Sequence, residues 1–124
     1  MNKPITWFEI PTLDLSRAKS FYQQILGVSL RDEAIGSSRL AIFPYNRENS
    51  TGGCLIHDED YHPGSKGPVV YLNAGSSLNA ALNLVNQAGG TVLLPETVLP
   101  AGMGSYAHIL DTEGNRVGLH SATA

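Results

Sequence analysis

The sequence predicts an α+β fold of two βαβββ modules, with helices outside and curved sheets facing inward. Three observations predict it. The first is internal repetition. Setting residues 15–57 against residues 78–120, an offset of 63, makes Leu15/Leu78, Ala18/Ala81, Gln24/Gln87, Gly27/Gly90, Leu30/Leu93, Glu33/Glu96 and His57/His120 coincide. The second is that hydrophobic spacing and turn glycines agree even where residues differ. The third is the order of signals in each half: a short β-rich run, an amphipathic helix stopped by glycine, then three further strands. Two similar halves pair about a pseudo-twofold axis and leave a groove. A cleft-forming binding protein or enzyme is the expectation.

In the first half, residues 5–10 form a β-rich run ended by Pro11, which disfavours continuing a central strand. Asp14 stands where a helix N-cap belongs. Beyond it Leu15, Ala18, Phe21, Tyr22, Ile25 and Leu26 recur at three-and-four spacing, with Arg17, Lys19, Ser20, Gln23 and Gln24 on the other face. Gly27 ends that helix as a left-handed cap residue does. Strands are expected over residues 28–35, 39–45 and 52–57, with turns at 36–38 and 46–51. Residues 58–67 (DEDYHPGSKG) are polar and rich in turn formers, and read as a linker. Module one is then 1–57 and module two 68–124.

The second half repeats the order. Residues 68–74 are a strand and Ser77 a cap. Leu78, Ala81, Leu82, Val85 and Ala88 make the apolar face of a second helix that Gly89 and Gly90 terminate. Strands follow at 91–94, 106–111 and 116–121. Residues 111–115 (DTEGN) form a hairpin turn in which Gly114 or Asn115 suits positive φ. Residues 95–104 hold two prolines and two glycines, so a mobile loop or irregular edge is expected there.

Length and composition narrow the functional classes. At 124 residues the chain makes one domain with a real core. Its net charge of −3 is mild and its eight basic residues are scattered, which argues against nucleic acid as a partner. The single cysteine, Cys54, excludes an internal disulfide and fits a reducing compartment. The leading MNKPITWFEIP lacks a signal peptide's apolar run, and no stretch approaches the roughly 20 apolar residues of a membrane span. A cytoplasmic protein with no membrane partner is the expectation.

Three segments carry a resemblance. WFEIPTLDLSRAKSFYQQILG, GPVVYLNAGSSLNAALNLVNQAGG and YAHILDTEGNRVGLHS together resemble the glyoxalase/bleomycin-resistance/dioxygenase group, the vicinal oxygen chelate superfamily. Strongest are the Asp-Leu-x-x-Ala-x-x-Phe-Tyr-x-x-x-Leu-Gly entry and the Asp-x-x-Gly-Asn turn before the last strand. The resemblance implies paired βαβββ modules forming a curved mixed-sheet cup. It also implies a homodimer, with the site across or beside the subunit contact. Whether the modules pair within a chain or between chains stays open.

Metal-dependent members of that group place His, Glu or Gln on the first and last strand of each module. A divalent ion held there stabilises an enediolate or activates a bound oxygen. Carried over, those positions fall on Trp7, on Val69 or Val70, on Gly118, and on Leu55 with Gly53 and Cys54 as neighbours. Of these only Cys54 can ligate. The resemblance therefore implies no metal and no other cofactor, and an apolar cup suited to a hydrophobic or aromatic small molecule. Metal-free relatives that sequester such compounds, the bleomycin-binding type, are the nearer analogy.

Several residues then become candidates. Glu9 shares the face of Trp7 by the period of two. It is a carboxylate inside the cup, acting as a general base with His120 or binding a cationic ligand, or it lies at the strand's exposed end or pairs with Arg39 or Arg116. His57 and His120 occupy matched places, and His108 lies on the neighbouring strand. They are either acid/base or metal-binding groups, with Glu9, or polar residues at a sheet rim. Cys54 is a nucleophile, for which no His or Asp is locally placed as activator, a pocket residue, or simple core. Tyr45, Tyr71, Asn73, Met103 and Tyr106 complete the expected lining, with Trp7 and Tyr71 as stacking surface. Three functions remain: a binding protein, a lyase, isomerase or dioxygenase with shifted ligands or metal-free chemistry, and an interaction module whose cup is filled.

Overall fold

Each half of the chain folds as strand, helix and three strands. In the computed structural model, which describes residues 4–123, the first half comprises β1 (Trp7–Pro11), α1 (Leu15–Leu26), β2 (Arg31–Ile35), β3 (Ser38–Ile42) and β4 (Gly52–His57). The second comprises β5 (Tyr71–Asn73), α2 (Leu78–Val85), β6 (Thr91–Val98), β7 (Ser105–Leu110) and β8 (Arg116–Ser121). The strands make two open sheets, ordered β1-β4-β3-β2 and β5-β8-β7-β6. The β1–β4 and β5–β8 pairs are parallel and the rest antiparallel, so both sheets are mixed.

Local chemistry sets the helix ends. The Asp14 carboxylate accepts the Arg17 N–H at 3.0 Å, and Gly27 takes φ +66° while its N–H returns to the Gln23 carbonyl. Ser77 caps α2 in the same way, through the Ala80 N–H. Gly27 and Gly90 coincide in the repeat but serve different ends. Gly90 lies so close under the Phe21 ring and the Leu110 carbonyl that any side chain would overlap them.

Both helices feed one core. Phe21, Tyr22 and Ile25 of α1 and Leu78, Ala81 and Val85 of α2 pack on Leu55, Ile109, Val117 and Leu119, all buried. Truncating a side chain such as Leu55 or Leu119 to alanine costs about 2–5 kcal/mol at sites of this kind. On the other face of the first sheet, Leu40, Cys54 and Ile56 form a separate small cluster.

The β7–β8 turn locks the modules together. The Asp111 carboxylate accepts the N–H groups of Glu113 and Asn115 and, at 2.6 Å, the Tyr22 hydroxyl of module one. Asn115 donates to the Pro11 carbonyl and accepts the Gly64 N–H from the linker. Glu113 accepts the N–H groups of Leu13 and Asp14, both at 2.8 Å, and pairs with Arg17. The Asp-x-x-Gly-Asn motif is thus a structural hub, with Gly114 at φ +92° closing the turn.

Several elements are shorter than expected: β2 begins at Arg31, β3 ends at Ile42, β5 covers only Tyr71–Asn73 and α2 ends at Val85. Two strands run longer, for one reason. β1 runs through Pro11, where a stop was expected, and β6 runs through Pro95 as an irregular edge, one of the two expectations for that segment. Both are edge strands, and β6 carries register shifts on either side of Leu94, so each proline sits where a ladder N–H is dispensable.

Candidate functional site

The second sheet presents a ring-lined face away from the helices. Alternation buries Leu72, Ala107, Ile109, Val117 and Leu119 under α2 and turns Tyr71, Asn73, Tyr106, His108, Arg116 and His120 the other way. Tyr71 stands opposite Gly118, and a methyl group at Gly118 would overlap the Tyr71 ring. The missing side chain lets that ring lie flat on the sheet. The first sheet has a parallel arrangement, with the Trp7 and Tyr45 rings over Gly52.

A cavity of about 460 Å³ opens on this face. Its floor is Tyr71, Leu72, Asn73, Tyr106 and His120; Leu99 and Met103 form a wall. The wall exists because the chain reverses sharply after β6. Ala101, Gly102 and Gly104 all take positive φ, and the Leu99 N–H bonds the Gly104 carbonyl at 2.8 Å. Gly104 approaches the Ser121 carbonyl so closely that only glycine fits. His120 Nε2–H then donates to the Met103 carbonyl at 2.8 Å and pins the loop to β8.

The polar groups form a chain. Arg116 Nη1–H donates to His108 Nδ1 at 2.8 Å, and His108 Nε2 lies 2.6 Å from the Tyr71 hydroxyl. Burial and then the Arg116 charge lower the His108 pKa, keeping the imidazole neutral. Tyr71, Tyr106 and His108 are mutual ring neighbours at 5.4–6.1 Å between centroids. Asn73 Oδ1 accepts the Gly75 N–H, which leaves its amide hydrogens for other partners.

The structure therefore brings Tyr71, Asn73, Met103, Tyr106 and His120 together, with His108 behind Tyr71. It leaves Trp7, Glu9 and Cys54 on the first sheet and Tyr45 beside it in the β3–β4 connection, away from this cavity. Glu9 is exposed, as one of its expected readings had it, and its hydroxyl partner is Tyr61 from the linker, so the alternative of an Arg39 or Arg116 pair does not hold. Cys54 is fully buried against Leu40 and Ile56, and burial followed by the Glu9 charge pushes its thiol up to about 12. His57 is bound to the Thr12 carbonyl at the sheet rim.

Two carried-over positions move. Leu55 is buried on the helix-covered face, and Cys54 is the residue that turns toward Glu9. Val69 and Val70 precede β5, so Tyr71 is the residue facing Gly118. Among the described residues no group of three or more His, Cys, Asp or Glu side chains is placed to hold a metal ion. Glu9, His108 and His120 are thus not gathered into one set. Leu99 and Arg116 were not anticipated. Arg116 was readable, since it shares the Gly118 face by the period of two. Leu99 was not, because it depends on a loop conformation.

Among the described residues no helix is long and apolar enough to cross a membrane. No curated protein matches the chain. Solved structures do. Glyoxalase I from Zea mays superposes with a TM-score of 0.69 at 24% identity, over 94% of this chain and 45% of the maize chain. The chain thus spans less than half of that protein's length. The genomically encoded fosfomycin resistance protein FosX from Listeria monocytogenes gives 0.70 at 16% identity, covering 100% of this chain and 94% of that one. The hypothetical protein SA1046 from S. aureus gives 0.64 at 20%, covering 98% of each. The profile of the Glyoxalase/Bleomycin resistance protein/Dioxygenase superfamily matches residues 5–119, and with two βαβββ modules already in hand, the chain belongs to that superfamily.

Proposed function

We propose that this protein binds a small hydrophobic or aromatic molecule on the concave face of module two, without a metal, and in doing so sequesters it. The carrying observation is the cavity of about 460 Å³ walled by Tyr71, Tyr106, Leu99 and Met103, with Asn73 and His120 as polar anchors. Such a mix of ring and aliphatic surface with few polar groups is what a small organic ligand needs. The donor chemistry supports the metal-free part. By the carried-over correspondence, Trp7, Cys54, Tyr71 and Gly118 take the places of the ligands in metal-dependent relatives; Cys54 is fully buried with its thiol pushed up to about 12, and His108 Nδ1 already accepts from a guanidinium. That donor set does not fit a divalent cation. An open cavity also weighs against a pure interaction module with a filled cup.

The working form is a cytoplasmic homodimer. Ile5, Trp7, Tyr45 and Tyr61 are exposed on or beside the first sheet, and would make a contact surface for a second copy. A thermal-shift screen of aromatic compounds tests binding, and metal analysis of protein purified without chelators tests the rest. Stabilisation by aromatic compounds with negligible bound metal is expected. One tightly held transition ion per chain contradicts the proposal.

A second reading, metal-free acid/base catalysis, is favoured by one observation. His120 lines the cavity and donates from Nε2, so in its neutral form the lone pair lies on Nδ1. His120→Ala would abolish turnover of any substrate on this route. Glu9 lies outside the cavity lining, so Glu9→Gln would not.

A further inference from the structure

We infer that the module-two cavity selects aromatic ligands bearing an anionic oxygen, and that Arg116 and His108 act as positioning residues that make the Tyr71 hydroxyl the donor to that oxygen. This rests on the proposed function and names its ligand class.

The hydrogen positions follow from what each group can do. A guanidinium has only N–H donors, so the Arg116 contact at 2.8 Å requires a lone pair on His108 Nδ1. The imidazole is then neutral and its hydrogen sits on Nε2. That hydrogen points along the 2.6 Å contact to the Tyr71 oxygen, which must accept it. Tyr71's own hydrogen is left to a partner outside the chain. Bonds in such a chain polarise one another, so the guanidinium charge strengthens the phenol as a donor.

The surrounding charge agrees. Arg116 has no carboxylate partner among the described residues. Glu96, the one acid within the four strands of this sheet, is bound by the hydroxyl of buried Ser105, and Asp111 and Glu113 of the β7–β8 turn are taken up by Tyr22, Asn115 and Arg17. Asn73 adds amide hydrogens on the same face. Two donors and a nearby unpaired cation favour an anionic acceptor, while Tyr71, Tyr106 and Met103 suit the attached ring. His120 supplies one acceptor, Nδ1, for a ligand hydroxyl or amide.

The test uses 2-naphthoate and 2-naphthylmethylammonium, which share a ring system and differ in charge. Calorimetric titration should give at least tenfold tighter binding of the naphthoate. Tyr71→Phe should remove about tenfold of that affinity and leave the cation unaffected. In the free protein, ¹⁵N shifts should place the His108 hydrogen on Nε2, and Arg116→Met should let His108 take a second proton at higher pH than in the wild type, with burial still opposing it. Tyr71→Phe keeps the ring over Gly118, so it decides the matter even where Arg116→Met does not fold. Equal affinity for the two probes, or an unchanged Tyr71→Phe, overturns the assignment and leaves the cavity reading standing. No binding of either probe overturns both.

Discussion

Glu113 offers the sharpest test of how the two modules are held together. Its side chain is fully buried and accepts five hydrogen bonds: from the N–H groups of Leu13 and Asp14, twice from Arg17, and from the Thr112 hydroxyl. Burial alone would raise its pKa. The Arg17 bond, followed by those from Asp14, Thr112 and Leu13, outweighs burial and holds it at about 2 against an ordinary 4.5. That difference corresponds to about 3 kcal/mol of linkage, reduced somewhat because Arg17 is half exposed. The sign is that of a depressed carboxylate. The stabilisation is complete above pH 4.5 and fades as pH falls toward 2. Glu113→Ala should cost about 1–3 kcal/mol at pH 7, because two part-buried N–H groups lose their acceptor. Urea unfolding at pH 7 and at steps down to pH 2 measures both effects. Wild-type stability should fall across that range while Glu113→Gln, which cannot titrate, loses less. Parallel pH curves for the two proteins would refute the assignment of acid sensitivity to this carboxylate.

Three further outcomes follow from packing. Gly118→Ala should lift the Tyr71 ring and break its bond to His108, lowering aromatic-ligand affinity about tenfold or more. Its circular dichroism should stay unchanged, since Tyr71 is 49% exposed and free to move; unaltered affinity would contradict the described floor. Cys54, buried and with its thiol pushed up to about 12, should resist a disulfide reagent at pH 8 until denaturant is added. Fast labelling of native protein would contradict its place beneath the first sheet. Tyr22→Phe should cost about 1–2 kcal/mol in urea unfolding, because Asp111 loses one partner but keeps the Asn115 amide at 3.1 Å.

Repetition made the fold legible. Helix signals are local, so Asp14, Gly27 and Ser77 could be read directly as caps, and apolar spacing named Phe21, Tyr22 and Ile25 as core. Edge prolines were less readable, because their cost depends on which strands end up central. The site was legible only in half. Period-two spacing put Tyr71 with Asn73, and His120 two residues past Gly118, on one face, and Tyr71, Asn73 and His120 do line the cavity. The same rule grouped Trp7 with Glu9 correctly, but nothing in the sequence says which sheet carries the cavity. Leu99 enters through the left-handed residues Ala101, Gly102 and Gly104, a reversal that no hydrophobic period encodes.

The central claim is that a small aromatic molecule occupies the concave face of module two. Amide and methyl chemical-shift mapping during titration with 2-naphthoate measures this most directly. The account predicts saturable shifts confined to Tyr71, Asn73, Leu99, Met103, Tyr106 and His120, without added metal. Shifts centred on Trp7 and Tyr45, or dependent on a divalent ion, would contradict it.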